Sequence, residues 1–367
     1  MPGPDVTRPA PSGDEREMAV GFSTMPAERT AESYIEAFAA AAAAGELVLI
    51  QRAPPWEEFF GNGQVSVDTV ETTELETALL EQYDHLDLVY AIDPTDPVVQ
   101  RARLANLPAG VSHEEGFRSA EVQQAFLAYT RYVVQNYEPS YLVLGVEVNM
   151  MADRAPGQFE AFVSLYEDAY AIAKEVEPEV KVFPTFQLED LEGNLDAVHP
   201  PQWETIDAFG GNIDVLGIST YPYLTDLRAA ADLRPQYYAQ LRERYDGEIM
   251  VVDAAYPSAP LEGYRVVGTE EDQFEYVARL LDEAEQHGFS GVIWRAAHDP
   301  DFAAEGALTA FRDIGLRNGE GEKLAWEEWE AWATRPYAPP EPTPMPTPTD
   351  EDPDTDDEAD AASADEG

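Results

Sequence analysis

The sequence contains no cysteine, which excludes a disulfide framework, a thiolate nucleophile and cysteine-ligated zinc. Lysine is almost missing, with only Lys174, Lys181 and Lys323 among 22 basic residues. Apolar runs are short, and none approaches the roughly 18–20 residues of a membrane-spanning helix, so membrane insertion is not expected. The first 16 residues, MPGPDVTRPAPSGDER, hold neither the apolar core of a signal peptide nor a twin-arginine pair. A cytoplasmic location is therefore expected, with secretion as the alternative. The five histidines (His85, His113, His199, His287, His298) show no metal-ligand spacing, and no metal or other cofactor is expected. Ser219, Ser258 and Ser290 lack a G-x-S-x-G elbow, which argues against a serine hydrolase.

What the chain does hold is acid. Seventy-two acidic side chains against 22 basic ones give a net charge of −50. Eleven of the acidic residues and none of the basic ones lie beyond residue 335, so the body keeps −39 of that charge. A field of this sign repels phosphate backbones and anionic lipid, which removes nucleic acid and membranes as partners. Its density also opposes large apolar interfaces and favours a monomer. At molar salt the Debye length falls to about 3 Å and self-repulsion is screened. In this balance the chain resembles proteins of salt-in haloarchaea. Hydrophobic residues still make up 44% of the chain, enough for a large core.

Three regions follow from composition: a flexible lead-in over 1–16, a folded body over 17–335, and a disordered Pro/Thr-rich acidic tail over 336–367. In the body, eight short apolar, β-branched runs start about 40 residues apart. They are MAVGFSTM (18–25), LVLIQR (47–52), LDLVYAID (86–93), YLVLGVEV (141–148), KVFPTF (181–186), DVLGISTY (214–221), EIMVVDA (248–254) and SGVIWRA (290–296). Near-continuous apolar runs suit strands buried on both faces, and amphipathic segments such as SAEVQQAFLAYTRYVVQ fill the intervals as helices. A closing helix is expected at about 323–333, with Trp326 and Trp329 packed inward. Eight strand–helix units predict an α/β fold, a single (β/α)8 TIM barrel. A doubly wound sheet competes, but MPAERT follows the first strand where a Gly-rich phosphate loop would stand.

In a barrel, chemistry sits at the C-terminal strand ends. The polar and aromatic residues there are Gln51, Arg52 and Trp56 after strand two, Asp93 at the end of strand three, Glu147 and Asn149 at strand four, and Gln187 at strand five. Tyr221 and Tyr223 follow strand six, Asp253 and Tyr256 strand seven, and Trp294, His298 and Asp299 strand eight, where the adjacent His298 and Asp299 read as a loop contact and not as a base and its orienter. Aromatic faces beside amides and carboxylates suit a saccharide. Glu147 and Asp253 each interrupt an apolar run, where a charge is expensive without a purpose. Two converging carboxylates are what glycoside hydrolysis requires.

The segments LGVEVNMM, LGISTYPYL, IMVVDAAYPSA, GVIWRAAHDP and GLRNGEGEKLAWEEW together resemble the (β/α)8 retaining glycoside hydrolases that include β-galactanases and cellulases, over about 18–335. The resemblance implies Glu147 as acid/base and Asp253 at the nucleophile position. It implies Tyr221 hydrogen-bonded to the nucleophile, Arg52 holding the nucleophile ionised, and Trp294 flooring the sugar subsite. Two positions depart from the pattern. Val146 stands where the family has Asn, and Asp253-Ala254-Ala255 replaces the usual Glu-Thr-Gly. A side chain one methylene shorter withdraws the reacting oxygen by about 1 Å, a displacement that can cost on the order of 10²-fold in rate. Three outcomes stay open: a retaining hydrolase of a β-linked saccharide, an inverting one with room for water, and a degenerate barrel that binds saccharide or protein.

Overall fold

The computed structural model describes residues 3–61, 63–195, 199–304 and 306–339. Nine parallel strands form one sheet: β1 (Ala19–Ser23), β2 (Leu47–Arg52), β3 (Asp87–Ile92), β4 (Tyr141–Leu144), β5 (Lys181–Phe183), β6 (Thr185–Gln187), β7 (Val215–Thr220), β8 (Glu248–Ala254) and β9 (Gly291–Trp294). β1 pairs with both β2 and β9, which closes the sheet into a barrel. The run KVFPTF, expected as one strand, is two. Pro184 has no amide hydrogen to give the ladder, so β5 pairs with β4 and β6 with β7 on either side of it. Nine segments therefore make eight staves, the (β/α)8 count.

Helices fill the intervals where the amphipathic segments stood, among them Ala31–Ala43, Val67–Gln82, Ala120–Tyr137, Pro156–Val176 and Glu270–Gln286. None among the described residues is long and apolar enough to cross a membrane. The closing helix runs over Leu324–Ala333. Its Trp326 and Trp329 are buried, and Trp329 meets Phe22 of β1 with ring centroids 4.8 Å apart.

Strand alternation divides the core in two. Leu47, Leu49, Val89, Ala91, Val143, Phe183, Val215, Met250, Val252 and Ile293 fill the barrel interior. Val48, Ile50, Leu88, Tyr90, Leu142, Val251, Val292 and Trp294 face the helices. This division decides which strand-end residues reach the mouth.

Residues 3–16, assigned by composition to a flexible lead-in, make specific contacts across the barrel's other end. Gly3 and Pro4 meet Gln82 and Tyr83, and Ser12 N–H donates to the Thr334 carbonyl at 2.9 Å. Arg16 is fully buried, with Nη2 2.8 Å from both oxygens of Glu46 and Nη1 2.6 Å from the Met18 carbonyl. Its backbone also pairs with Pro336 and Ala338, so the first residues past 335 belong with the body. The expected disorder of the acidic tail concerns 340–367, which lie outside the described residues.

Candidate active site

Above the apolar interior, every stave contributes one polar side chain to the mouth. Alternation from Leu47 and Leu49 turns Gln51 inward, and from Val89 and Ala91 it turns Asp93 inward. Ser23, Thr185, Ser219 and Arg295 follow by the same rule on β1, β6, β7 and just past β9. Glu147 and Asp253 enter by backbone devices instead.

After β4 the chain turns at Gly145, whose φ is +93°. A Cβ there would come within 2.5 Å of the Phe162 ring, so glycine is required for the turn and for the close approach. Glu147 follows in the left-handed region at φ 52°, an uncommon state for a residue with a side chain. Local strain of this kind clusters at functional sites. Its amide donates to Thr185 Oγ1 at 2.9 Å, which holds the turn.

Asp253 depends on a β-bulge. β7 and β8 pair Gly217 with Met250 and Ile218 with Val251, then Ser219 with Asp253. Val252 is the extra residue, and the slip of one position brings Asp253 to the inward face beside Ser219. Without the bulge, Asp253 would alternate outward from Val252 into the helices.

The two carboxylates are 8% and 5% exposed. Ser219 Oγ donates to Glu147 Oε1 at 2.9 Å. Glu147 Oε2 accepts from Arg101 Nε at 3.0 Å and Nη2 at 2.9 Å. The other arm of Arg101, Nη1, meets both oxygens of Asp93 at 2.7 and 2.9 Å, and Gln51 Nε2 donates to Asp93 at 2.8 Å. Arg295 Nη1 pairs with Asp253 Oδ2 and lies 3.1 Å from the Tyr221 hydroxyl. Asp253 Oδ1 is buried and accepts no hydrogen bond. Burial pushes the Asp253 carboxyl above its ordinary range, the Arg295 guanidinium and the Tyr221 hydroxyl oppose that, and the Glu147 charge adds to it. A cavity of about 600 Å³ opens beside this layer, lined by Ser23, Thr24, Tyr34, Gln51, Arg52, Asp93, Arg295 and Phe302 among others. Glu147 and Asp253 are not part of that lining: Asp253 pairs with the lining Arg295, and Glu147 is tied to the lining Asp93 through Arg101.

Of the residues expected at the site, the structure brings Gln51, Asp93, Glu147, Asp253 and Tyr221 together. The rest stand elsewhere. Arg52 points outward and pairs with Glu76 and the Tyr34 hydroxyl, so it reaches the cavity rim but not Asp253, whose cation is Arg295. Trp294 also points outward, with its indole N–H on the Ile314 carbonyl at 2.8 Å and its ring between Tyr276 and Trp329. Trp56 is buried beside Phe60 and donates to the Ala105 carbonyl at 2.8 Å. The Asn149 side chain donates to the Gln187 carbonyl and to Asp190 and accepts from the Gln187 amide, while the Gln187 side chain donates to Glu189 and accepts from the Asp190 amide, all in a buried cluster behind the mouth. Tyr223 donates to the Ala310 carbonyl, Tyr256 to Asp272, and Asp299 is held by Lys323 and the Gly315 amide. Each of these polar ends is spent on packing loops onto the barrel.

Three participants were missed. Ser219 and Arg295 were legible by counting two from Gly217 and from Ile293. Arg101, in the loop after β3, had no spacing signal. A fourth buried acid, Glu189, supports the site from behind: it accepts from the Tyr221 amide at 3.0 Å and from Thr220 Oγ1 at 2.7 Å. Burial pushes the Glu189 carboxyl up to about 7. The folded protein thus keeps a proton that the unfolded chain sheds above about 4.5. Stability from this group is full below that pH and is lost as pH rises toward 7. Glu189→Gln keeps the shape, and its amide can donate to Thr220 and Tyr237, whose hydroxyls can reverse. It should raise the melting temperature by about 2–6 °C at pH 8 and leave it unchanged at pH 4, followed by calorimetry at both pH values.

No family model matches the chain, and no curated protein matches it. Solved structures do. A GH5_18 variant from Bifidobacterium longum subsp. longum, in complex with Manb1-4GlcNAc, aligns with a TM-score of 0.64 at 13% identity, covering 88% of this chain and 80% of that one. The exo-beta-1,4-mannosidase Op5Man5 from Opitutaceae bacterium strain TAV5 aligns with a TM-score of 0.64 at 15% identity, covering 87% of this chain and 59% of that one. A GH53 catalytic domain from Ignisphaera aggregans aligns with a TM-score of 0.55 at 17% identity, over 90% and 99% of the two chains. At these identities the likeness is one of fold: the chain has the (β/α)8 barrel of these glycoside hydrolases.

Proposed function

We propose that the protein is a glycosidase that hydrolyses an O-glycosidic bond in a β-linked saccharide by a two-carboxylate mechanism. The observation that carries the reading is the juncture at Ser219. Its hydroxyl bonds Glu147 at 2.9 Å, and its register partner across β7 and β8 is Asp253, so both acids face one point of the mouth. Glu147 acts as acid/base, and Asp253 stands at the nucleophile position with Oδ1 unoccupied. Arg295 and Tyr221 orient Asp253. The solved relatives of this fold include a β-mannosidase and a protein holding a β-linked disaccharide, which supports a saccharide as the partner.

A second reading has its own observation. All three donors on Glu147 must be rearranged before it can protonate a leaving oxygen, and Arg101 supplies two of them. A barrel that only binds saccharide would keep such a locked carboxylate. The test is a panel of aryl β-glycosides and β-linked oligosaccharides assayed with the full chain in about 3 M KCl, the medium its acidic surface suits. Cleavage supports the hydrolase, and NMR of the first product anomer separates retention from inversion. Saccharide binding by calorimetry with no cleavage anywhere in the panel supports the second reading and overturns the first.

A further inference from the structure

Cations outnumber carboxylates in the lining of the mouth cavity, in a chain that is acidic as a whole. The protein as a whole has 72 acidic and 22 basic residues, yet the charged lining of this cavity is two arginines, Arg52 and Arg295, and one carboxylate, Asp93. Asp93 is already bound through both oxygens by Arg101. A third guanidinium, Arg29, sits 4.7 Å from the ring centroid of Phe302, another lining residue.

The carboxylates that neutralise the two lining arginines lie behind them. Glu76 is fully buried beneath Arg52, and Asp253 is 5% exposed beside Arg295. Each guanidinium uses a single nitrogen for its anchor. Arg52 Nη2 serves Glu76 and the Tyr34 hydroxyl, and Arg295 Nη1 serves Asp253 and the Tyr221 hydroxyl. The Arg52 side chain remains 30% exposed and that of Arg295 17%, with the Arg295 guanidinium resting on the Phe311 ring and its Nε buried out of a ligand's reach, so Arg295 Nη2 is the donor left for the cavity. Both cations therefore keep unspent donors while their positions are fixed by buried acids, which is the preorganised, planar presentation that suits an oxyanion. Thr24 and the carbonyl end of Gln51 add neutral groups to the lining, while Ser23 Oγ is engaged by the Arg295 carbonyl and the Met25 amide and Gln51 Nε2 by Asp93.

We infer that this cavity binds an acidic saccharide, with the carboxylate of a uronic acid unit seated between Arg52 and Arg295. The inference rests on the glycosidase reading for the reaction, and adds the class of sugar. A carboxylate and a sulfate can each meet a guanidinium through two oxygens, so a 6-sulfate serves as the arm of the test that separates them. Contact pairing inside a recess survives salt that screens the open surface.

The experiment compares an aryl β-glucuronide, the matching aryl β-glucoside and its 6-sulfate as ligands and substrates of the full chain in about 3 M KCl. The glucuronide should be favoured at least tenfold in Kd by calorimetry, and in kcat/KM where turnover occurs. Arg52→Met leaves Glu76 buried without its cation, so the paired variant Arg52→Met/Glu76→Gln is used beside it, and Arg52→Lys keeps the charge without the fork. The paired variant should bring the glucuronide preference close to one, and Arg52→Lys should fall between. A glucoside bound or cleaved as well as the glucuronide overturns the inference and leaves the glycosidase reading standing. Neither binding nor cleavage of any of the three sugars overturns the inference, and the glycosidase reading is then decided by the wider panel alone. A 6-sulfate that equals the glucuronide overturns the carboxylate assignment, and a preference undiminished in the paired variant overturns the role of Arg52.

Discussion

Arg101→Leu should destabilise the protein by about 3–5 kcal/mol, because it leaves two buried carboxylates without the cation they share. Arg101 is 4% exposed and bonds Asp93 through one arm and Glu147 through the other. Removing both charges of an ion pair can be nearly neutral, but removing one strands the partner in a medium that cannot solvate it. Gln51 is the remaining donor on Asp93, and Ser219 the remaining one on Glu147. In a body of this size the loss should lower the melting temperature by on the order of 10 °C. Adding Asp93→Asn and Glu147→Gln to Arg101→Leu should recover part of it, since no charge is then buried alone. A denaturant midpoint that hardly moves in Arg101→Leu would mean that water reaches this layer freely.

That triad also explains how the Glu147 turn is tolerated. Glu147 and Arg101 both adopt positive φ, 52° and 65°, and Gln100 beside Arg101 has φ 52°. Such conformations cost of order 1 kcal/mol or more for each residue. Three bonds on the Glu147 side chain and one on its amide hold the turn from both sides, so the strained loop and the strained strand end brace each other.

The barrel was legible because its strands are buried on both faces, and such strands betray themselves as apolar runs without alternation. LVLIQR and EIMVVDA match β2 and β8 residue for residue. The same property hid the site. With no polar face to mark the register, nothing on the surface of the sequence says which of Gln51 and Arg52, or of Trp294 and Arg295, turns inward. Counting from a residue of known direction would have decided both, since Leu47, Leu49 and Ile293 fill the interior. Aromatic residues misled for a related reason. Trp56, Tyr223, Tyr256 and Trp294 stand at the right ends of the strands, but a hydrophobic ring with one polar atom also serves to fasten loops to the barrel wall. Asp253 is the reverse case. Alternation alone would have turned it outward, and only the extra residue at Val252 brings it in. Its charge within an apolar run marked it, for the physical reason that a buried carboxylate needs partners. Arg101 lies eight residues past Asp93 in a loop, and only the folded chain shows that it reaches both acids.

Glu147→Gln and Asp253→Asn should each reduce kcat/KM by about 10²–10⁴-fold, and they should differ in how the loss depends on the leaving group. An acid/base residue assists departure of the aglycone, so the loss in Glu147→Gln should be largest for alkyl glycosides and smaller for nitrophenyl ones, which leave unassisted. A nucleophile is needed whatever leaves, so Asp253→Asn should lose activity uniformly across the series. Rates on three glycosides of graded leaving-group acidity, with the sugar held constant, distinguish the two. Equal profiles for both variants would refute the division of roles. The short reach of Asp253 gives a further comparison. Asp253→Glu extends the carboxylate by about 1 Å, the scale on which positioning alone changes rates on the order of 10²-fold. On the proposed glycosidase reading, if the bulge at Val252 has already moved the strand inward to compensate, the longer side chain overshoots and Asp253→Glu is slower than the unsubstituted protein. If the strand has not moved, the same substitution is faster. The sign of that single change reports whether the bulge already brings the shorter carboxylate to the distance the reaction needs.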